Sequence, residues 1–260
     1  MKKIKKIIIG NWKMNPDSSE TAEEIAKETI SRVSGTKNTE IVICPPFVFV
    51  PSVLKMIEKS KTRSVSVGAQ DVFWEGFTGA FTGEVSPTML AKLGLDYVIV
   101  GHSERRENGE TDEVVGKKAL AVAKEDMMAV VCVGEKERDE NGVYFEKLKE
   151  QIRASLAKFQ KRYVANLVIA YEPVWAIGKS EFEAMKGKDL EEMIIFIRKT
   201  LSDIFGAEDA SIVPILYGGS VSARNVVDIG STPGIAGLLV GRQSLEPEQF
   251  AEIARIFSLV

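Results

Sequence analysis

Apolar residues occur along the chain in eight short runs that lack a regular polar alternation. Runs of this kind are typical of parallel strands that are buried on both faces. They predict strands at Ile7–Gly10, Ile41–Cys44, Val65–Ala69, Tyr97–Val100, Ala129–Val133, Leu167–Ala170, Ile212–Leu216 and Gly237–Val240. The chain is therefore expected to alternate strands with other elements from end to end.

The segments between these runs carry the spacing of apolar residues that is expected of helices. One apolar stripe contains Ile25, Ile30 and Val33, and another contains Leu148, Ile152, Leu156 and Phe159. Helix starts are predicted at Ser86-Pro87, at Asp189 with Glu192 in a capping box, and at Leu245-Glu246-Pro247.

Eight strands that alternate with helices, without an intervening linker, favour a closed (β/α)₈ barrel. We predict that residues 1–260 form one such α/β domain. An open, doubly wound sheet is the alternative. It is disfavoured because the first turn after a strand, Gly10-Asn11-Trp12-Lys13, lacks the Gly-x-Gly-x-x-Gly pattern of dinucleotide-binding sheets.

Composition limits the classes of partner and the compartment. Of the 260 residues, 45% are hydrophobic and 27% are charged, and the net charge of −3 favours neither nucleic acid nor an anionic membrane as a partner. Two cysteines, Cys44 and Cys132, are too few for a disulfide framework and suit a reducing cytoplasm. The apolar run Ile7–Ile9 is too short for a signal peptide or a membrane span. These features predict a cytoplasmic protein.

Polar residues follow the strands at the points where the strands end, and in a barrel those ends meet at one rim. They are Asn11 and Lys13 after the first strand, His102 and Glu104 after the fourth, Glu172 after the sixth, Gly218-Gly219-Ser220 after the seventh, and Gly241-Arg242 after the eighth. Each residue alone has an ordinary structural interpretation, but together they favour a site. His102 is the only histidine, and an imidazole paired with the carboxylate of Glu172 suits proton transfer next to a carbonyl.

The glycines after the seventh and eighth strands predict a phosphate site. Glycines leave backbone N–H groups exposed, and a following helix presents its positive end to an anion. A short helix is expected at Val221–Ile229, after Gly218-Gly219-Ser220. The substrate is therefore expected to be small and phosphorylated, with its reactive end near Glu172 and His102.

Five segments of the chain resemble the triosephosphate isomerase family, in the family's order and from about Ile7 to Phe257. They are Gly10-Asn11-Trp12-Lys13-Met14-Asn15, Gly79-Ala80-Phe81-Thr82-Gly83-Glu84, Gly101-His102-Ser103-Glu104-Arg105-Arg106, Ala170-Tyr171-Glu172-Pro173-Val174-Trp175-Ala176-Ile177-Gly178 and Tyr217-Gly218-Gly219-Ser220. The resemblance implies interconversion of dihydroxyacetone phosphate and glyceraldehyde 3-phosphate through an enediolate, in glycolysis and gluconeogenesis, without a metal or a cofactor.

The resemblance also implies roles for individual residues. Glu172 would be the base that moves a proton between adjacent carbons, and a neutral His102 would polarise the carbonyl. Lys13 would stabilise the developing negative charge, Asn11 would donate a hydrogen bond, and Glu104 would support Lys13 or His102. Backbone N–H groups of Gly178, Ser220, Gly241 and Arg242 would hold the phosphate. The segment from Pro173 onward would form a lid that excludes water.

A homodimer is implied by the loop Gln70–Glu84, which is unusually aromatic for a loop. It contains Phe73, Trp74, Phe77 and Phe81. In the family this loop inserts into the partner subunit, which would bring Thr82 beside Asn11 and His102 of the partner subunit.

The chain departs from the family pattern at two functional positions. Lys179–Met185 replaces the usual lid sequence Thr-Gly-Lys-Thr-Ala, and Arg242 replaces the second glycine of a Gly-Gly pair. A left-handed conformation at Arg242 would cost about 1–2 kcal/mol. Two other functions stay open: another sugar-phosphate barrel isomerase or epimerase, whose metal-dependent forms need more than one histidine, and a non-catalytic barrel with an altered lid.

Overall fold

Eight parallel strands form a closed barrel in which each strand pairs with its neighbours along the sequence and the first pairs with the last. The computed structural model describes residues 6–36, 38–60, 62, 64–177, 185 and 187–260. The strands are β1 (Lys6–Asn11), β2 (Thr39–Cys44), β3 (Val65–Ala69), β4 (Tyr97–Val100), β5 (Met128–Val133), β6 (Leu167–Tyr171), β7 (Ile215–Tyr217) and β8 (Gly237–Val240). The predicted (β/α)₈ barrel is confirmed.

The backbones of β1 and β8 lie very close together where the barrel closes. Ile7 lies opposite Gly237, and a Cβ atom on Gly237 would stand 1.9 Å from the carbonyl oxygen of Ile7. Only glycine allows the two backbones to approach in this way.

Helices surround the barrel. They are α1 (Ser19–Val33), α2 (Val50–Ser60), α3 (Pro87–Leu93), α4 (Ser103–Glu107), α5 (Asp112–Lys124), α6 (Val143–Leu156), α7 (Gly187–Phe205), α8 (Ala207–Ile212), α9 (Val226–Gly230) and α10 (Pro247–Leu259). Short 3₁₀ turns cover Phe47–Phe49, Lys161–Asn166, Val174–Ala176 and Arg242–Leu245. Within the described ranges, no helix is long and apolar enough to cross a membrane.

The seventh strand begins later than the sequence predicts. Ile212 is the last residue of α8 and is 47% exposed, so the apolar run that starts there belongs partly to a helix. Pro214 lies between the helix and the strand and has no N–H to donate to a strand ladder. The strand therefore begins at Ile215.

Two of the predicted helix starts are wrong and two are confirmed. α7 begins at Gly187, which places Asp189 inside the first turn and not at the cap. The helix expected from Val221 begins only at Val226. Ser86 does cap α3, where its side chain accepts a hydrogen bond from the backbone of Met89, and α10 does begin at Pro247.

Apart from β3, whose apolar residues all lie in the outer layer, the strands divide their apolar residues between two separate layers. One set fills the barrel interior: Ile7, Ile9, Val42, Cys44, Tyr97, Ile99, Val130, Cys132, Val168, Ala170, Leu216 and Leu239. The other set packs outward against the helices, as Ile8, Ile41 and Ile43 do. A filled interior makes the barrel a rigid support, and the groups that follow the strands stand on its rim.

Candidate active site

A cavity of about 720 Å³ opens at the carboxyl ends of the strands. It is lined by the predicted residues Asn11, Lys13, His102, Glu172, Ser220, Gly241 and Arg242. Glu104 does not line the cavity itself but contacts the ammonium group of Lys13, which does. Thr82 lies in the exposed loop after β3. Gly178 and the lid residues 179–184 lie outside the described residues.

The side chains of His102 and Glu172 meet at one side of this cavity. His102 Nε2 lies 3.2 Å from Glu172 Oε1, and the backbone N–H of Ser103 donates a 3.0 Å hydrogen bond to Glu172 Oε2. Glu172 is only 2% exposed and His102 is 6% exposed. A carboxylate is costly to bury, and here a backbone donor and an imidazole offset that cost.

The backbone of α4 determines which imidazole nitrogen carries the proton. His102 is the N-cap of α4, and its Nδ1 accepts a 3.2 Å hydrogen bond from the N–H of Glu104. An imidazole nitrogen that accepts a hydrogen bond carries no proton, so the neutral ring is protonated at Nε2. That N–H lies beside Glu172 at the wall of the cavity.

Lys13 also lines the cavity, and hydrogen bonds hold its backbone in place. Its φ of 55° lies in the left-handed region, where Asn11 Oδ1 accepts from its N–H at 3.0 Å and Gln70 donates to its carbonyl at 2.8 Å. The ammonium group contacts Glu104 Oε1, and Glu104 Oε2 lies 3.7 Å from His102 Nδ1. Glu104 therefore contacts Lys13 with one carboxylate oxygen and lies near His102 with the other.

Backbone loops form the far end of the cavity. A Cβ atom on Gly219 would lie 2.3 Å from the hydroxyl of Tyr217, whose pKa is raised to about 12 by burial. Ser220 Oγ donates to the carbonyl of Ala176 at 3.0 Å. The sequence prediction placed a helix N-terminus at Val221, but a loop continues there to Val226. The exposed amides of this end therefore belong to a loop.

Arg242 takes the place of a glycine without strain. It begins the 3₁₀ turn Arg242–Leu245, and it is not among the non-glycine residues with positive φ, which are Lys13, Asn38 and Asp126 in the described part of the chain. The left-handed conformation considered for this position does not occur. Arg242 and Arg224 add positive charge to the cavity lining, and no pattern in the sequence pointed to Arg224.

A buried carboxylate, Glu135, fixes the chain on both sides of Glu172. It accepts hydrogen bonds from the hydroxyl of Tyr171 at 2.8 Å and the indole N–H of Trp175 at 2.8 Å, and Arg138 Nε lies 3.1 Å away. Burial, and then Glu135, raises the pKa of Tyr171 well above its usual value. Glu135 ends an apolar strand as Glu172 does, so the same signal could have identified it.

The end of β5 presses directly against Glu172. A Cβ atom on Gly134 would lie 1.7 Å from the carbonyl oxygen of Glu172, so this position requires glycine. Cys132 lies beneath the site, and burial, assisted by Glu172, raises the pKa of its thiol well above the usual value. Among the described side chains, no group of three or more His, Cys, Asp or Glu residues is arranged to hold a metal ion.

Comparisons with known proteins agree with this geometry. A sequence model of the family described as triosephosphate isomerase matches residues 6–257. Proteins named triosephosphate isomerase from Thermoanaerobacter pseudethanolicus and Moorella thermoacetica are each 43% identical over 249 residues, which covers 95% of this chain and 97% and 96% of theirs. The protein of that name from Dictyoglomus thermophilum is 42% identical over 253 residues, covering 96% of this chain and 99% of its own. The chain belongs to the triosephosphate isomerase family.

Proposed function

We propose that this chain interconverts dihydroxyacetone phosphate and glyceraldehyde 3-phosphate through an enediolate, as a cytoplasmic enzyme of glycolysis and gluconeogenesis. The observation that carries the proposal is the meeting of a buried carboxylate, Glu172, with a proton-bearing imidazole nitrogen of His102 at 3.2 Å. Family membership supports the same activity. No metal and no cofactor take part in the proposed reaction.

Glu172 acts as the base. Its carboxylate removes a proton from the hydroxyl-bearing carbon next to the substrate carbonyl, and the electron pair of that C–H bond forms the C=C bond of the enediolate while the C=O pair moves onto the carbonyl oxygen. That oxygen takes up the proton that the neighbouring hydroxyl gives up, a transfer that His102 assists. Glu172 then returns its proton to the former carbonyl carbon, and the new carbonyl forms on the carbon that lost its proton. To reach the substrate, the carboxylate gives up its hydrogen bond with the N–H of Ser103. It then contacts the C–H group of the ligand. Because the two carbons are adjacent, a single base can move the proton from one to the other.

His102 and Lys13 stabilise the charge that develops on the substrate oxygens. The Nε2–H group of His102 donates to the carbonyl oxygen, and the ammonium group of Lys13 attracts the negative charge of the enediolate. Preorganised donors of this kind contribute several kcal/mol to transition-state stabilisation. Asn11 fixes the Lys13 backbone and donates a further hydrogen bond, and Glu104 orients the ammonium group.

The phosphate binds at the loop end of the cavity. Backbone N–H groups of Ser220, Gly241 and Arg242 hold its oxygens, and Gly178 contributes from the lid. The positive charges of Arg242 and Arg224 favour a dianion at that end. The segment from Pro173 closes over the ligand, and water that is excluded there cannot promote loss of phosphate from the enediolate.

A coupled isomerase assay on the purified protein tests this function. We expect triose phosphate isomerisation by the unaltered chain and a fall in kcat of about 10³-fold in Glu172→Gln, because the amide keeps the shape but cannot accept the proton. Glu113→Gln, at an exposed carboxylate paired with Lys117, is the matched control and should retain full activity. Equal activity in all three proteins would contradict the proposed base.

The alternative epimerase function is separated by a second arm of the same assay. A metal-dependent sugar-phosphate epimerase would lose activity in the presence of a chelator, whereas the proposed isomerase would not. A protein that is folded but inactive on every triose phosphate would instead be the non-catalytic barrel.

The loop Gln70–Glu84 supports a homodimer as a further part of the proposal. Phe73 packs on Trp74 and Phe81, with ring centroids 4.2 Å and 4.7 Å away, but Phe77 remains 85% exposed and Phe81 45% exposed. Exposed aromatic groups on one loop are typical of an interface. In the dimer this loop brings Thr82 to the active site of the partner subunit.

A further inference from the structure

Arg106 lies beneath the two reactive side chains, and its guanidinium group connects the ends of two strands. It belongs to α4, directly after the strand that carries His102, and its side chain is 12% exposed. Nε donates to the carbonyl of Gly101 at 2.7 Å, and Nη2 donates to the carbonyl of Cys132 at 3.1 Å. The proposed mechanism has no use for this buried cation.

The first of these bonds fixes the peptide that leads into His102. The carbonyl of Gly101 and the amide nitrogen of His102 belong to one rigid plane. Gly101 has a φ of 69°, and a Cβ atom there would lie 2.9 Å from Arg106 Nη2. The guanidinium group therefore packs under this plane and orients the residue from which the imidazole extends.

The second bond acts on Glu172 through β5. The carbonyl of Cys132 and the amide nitrogen of Val133 share another peptide plane, and the carbonyl of Val133 accepts the N–H of Glu172 at 2.8 Å. The guanidinium group of Arg106 thus holds the backbone that leads into His102 on one side and, through Val133, the backbone of Glu172 on the other.

The outer side of the guanidinium group is also anchored. Nη1 contacts Asp112, and Nη2 donates to Ser155 Oγ at 3.2 Å, which in turn donates to Asp112 at 3.1 Å. The planar guanidinium group of Arg106 is hydrogen-bonded on both sides and therefore has little freedom to rotate. A lysine ammonium group could not replace it, because it does not offer several donors in one fixed plane.

We propose that Arg106 is a positioning residue, which sets the distance and angle between His102 and the carboxylate of Glu172 by fixing the peptides on both sides. This role rests on the proposed isomerase activity. A displacement of about 1 Å between reacting groups can lower a rate about 10²-fold. Loss of Arg106 should therefore reduce kcat more than it affects substrate binding, since the phosphate end is built from other strands.

The test compares Arg106→Met with Arg198→Met in the full chain. Arg198 is a matched control because its Nη1 also donates to two carbonyls, those of Ala210 and Val213, before β7 and away from the cavity. We expect kcat to fall about 10²-fold in Arg106→Met with KM changed less than threefold, and both constants to stay unchanged in Arg198→Met. Circular dichroism at the assay temperature gives the folded fraction by which each kcat is corrected.

A spectroscopic measurement separates positioning from general loss of structure. Because His102 is the only histidine, the nitrogen-15 imidazole signals of the protein belong to one residue. These signals should shift in Arg106→Met and stay in place in Arg198→Met. If Arg106→Met does not fold, Arg106→Lys keeps a cation beside Asp112 without the fork, and the same fall in kcat and the same shift are expected.

Unchanged corrected kcat and unchanged imidazole signals in the folded Arg106 variant would overturn the positioning role. A lack of isomerase activity in the unaltered chain would instead contradict the proposed function. The imidazole signals would still report whether Arg106 positions His102, so the two failures are distinguishable.

Discussion

Two glycines, each directly after one of the two strands that flank β6, hold Glu172 by close contact. A Cβ atom on Gly134 would lie 1.7 Å from the carbonyl oxygen of Glu172, and one on Gly218 would lie 2.9 Å from its Cγ. The first contact is with backbone, which cannot move aside as a flexible side chain can. The position of Glu172, the proposed base, is therefore fixed by the lack of side chains at these two glycines as well as by its hydrogen bonds.

Gly134→Ala should be destabilising and should lower activity. The added methyl group forces β5 away from β6, and overpacking of this kind costs about 1–3 kcal/mol of the free energy of unfolding. Denaturant unfolding and kcat are the measurements. Gly35→Ala, where a Cβ atom meets nothing within 4 Å, is the control and should match the unaltered chain. Equal stability and equal kcat in the two variants would contradict this account.

At the scale of residues, polar groups at strand ends were predictable and their neighbours were not. Glu172, His102 and Lys13 follow apolar runs, and this position is visible in the sequence. The N–H of Ser103 and the guanidinium group of Arg106 make hydrogen bonds whose directions depend on the conformation of the turn after β4. A sequence pattern does not contain those directions, so it gave these two residues no role.

At the scale of elements, α6 is preceded by an acidic cap, Asp139, four residues before its first residue, Val143. Asp139 accepts hydrogen bonds from the N–H groups of Asn141, Val143 and Tyr144, at 2.9 to 3.0 Å. Gly142 stands between the cap and the helix with a φ of 73°. One carboxylate thus satisfies donors that the first turn of a helix leaves without partners.

The Asp139 cap should make stability depend on pH in acid. Its pKa is lowered from the usual 3.8 by the N–H of Val143 first, and then by those of Tyr144 and Asn141. A lowered folded-state pKa means that the stabilisation is present above the usual value and is lost as pH falls through the folded value. Asp139→Ala should therefore lower the melting temperature at pH 7, and the difference from the unaltered chain should disappear below the folded-state pKa.

Glu137→Ala is the control for this prediction, because Glu137 is an exposed carboxylate nearby that pairs with Lys147 at 3.2 Å. Exposed pairs contribute little, so its melting temperature should stay close to that of the unaltered chain. A difference between Asp139→Ala and the unaltered chain that stays constant down to strong acid would contradict the role of the carboxylate.

The elements themselves were predictable where apolar runs are bounded by clear turn signals. β3, β4 and β8 have the predicted ends, and Ser86 and Pro247 mark helix starts correctly. The start of β7 was not predictable, because the apolar Ile212 ends a helix and continues the same run. The capping pattern at Asp189 was also misleading, since α7 begins two residues earlier, at Gly187, and Asp189 lies in its first turn.

At the scale of the whole molecule, the proposed dimer should depend on Phe77. Light scattering should give about twice the 28.6 kDa of one chain. Phe77→Asp should shift the mass toward one chain and lower kcat, because in the proposed dimer each loop brings Thr82 to the active site of the partner subunit. Ile195→Asp, at a residue of α7 that is 62% exposed on another face, is the control and should keep the mass of the unaltered chain. A fully active protein with the mass of one chain would contradict the dimer.

The pairing of Ile7 with Gly237 has a consequence for synthesis on the ribosome. β1 emerges first and has only one of its two neighbours until β8 has left the exit tunnel. During this interval one edge of β1 offers unpaired N–H and C=O groups, which is the arrangement that promotes association between nascent chains. Lys13 and Gly241 follow β1 and β8, so a ribosome must translate the chain from one to the other before the cavity that both residues line can form.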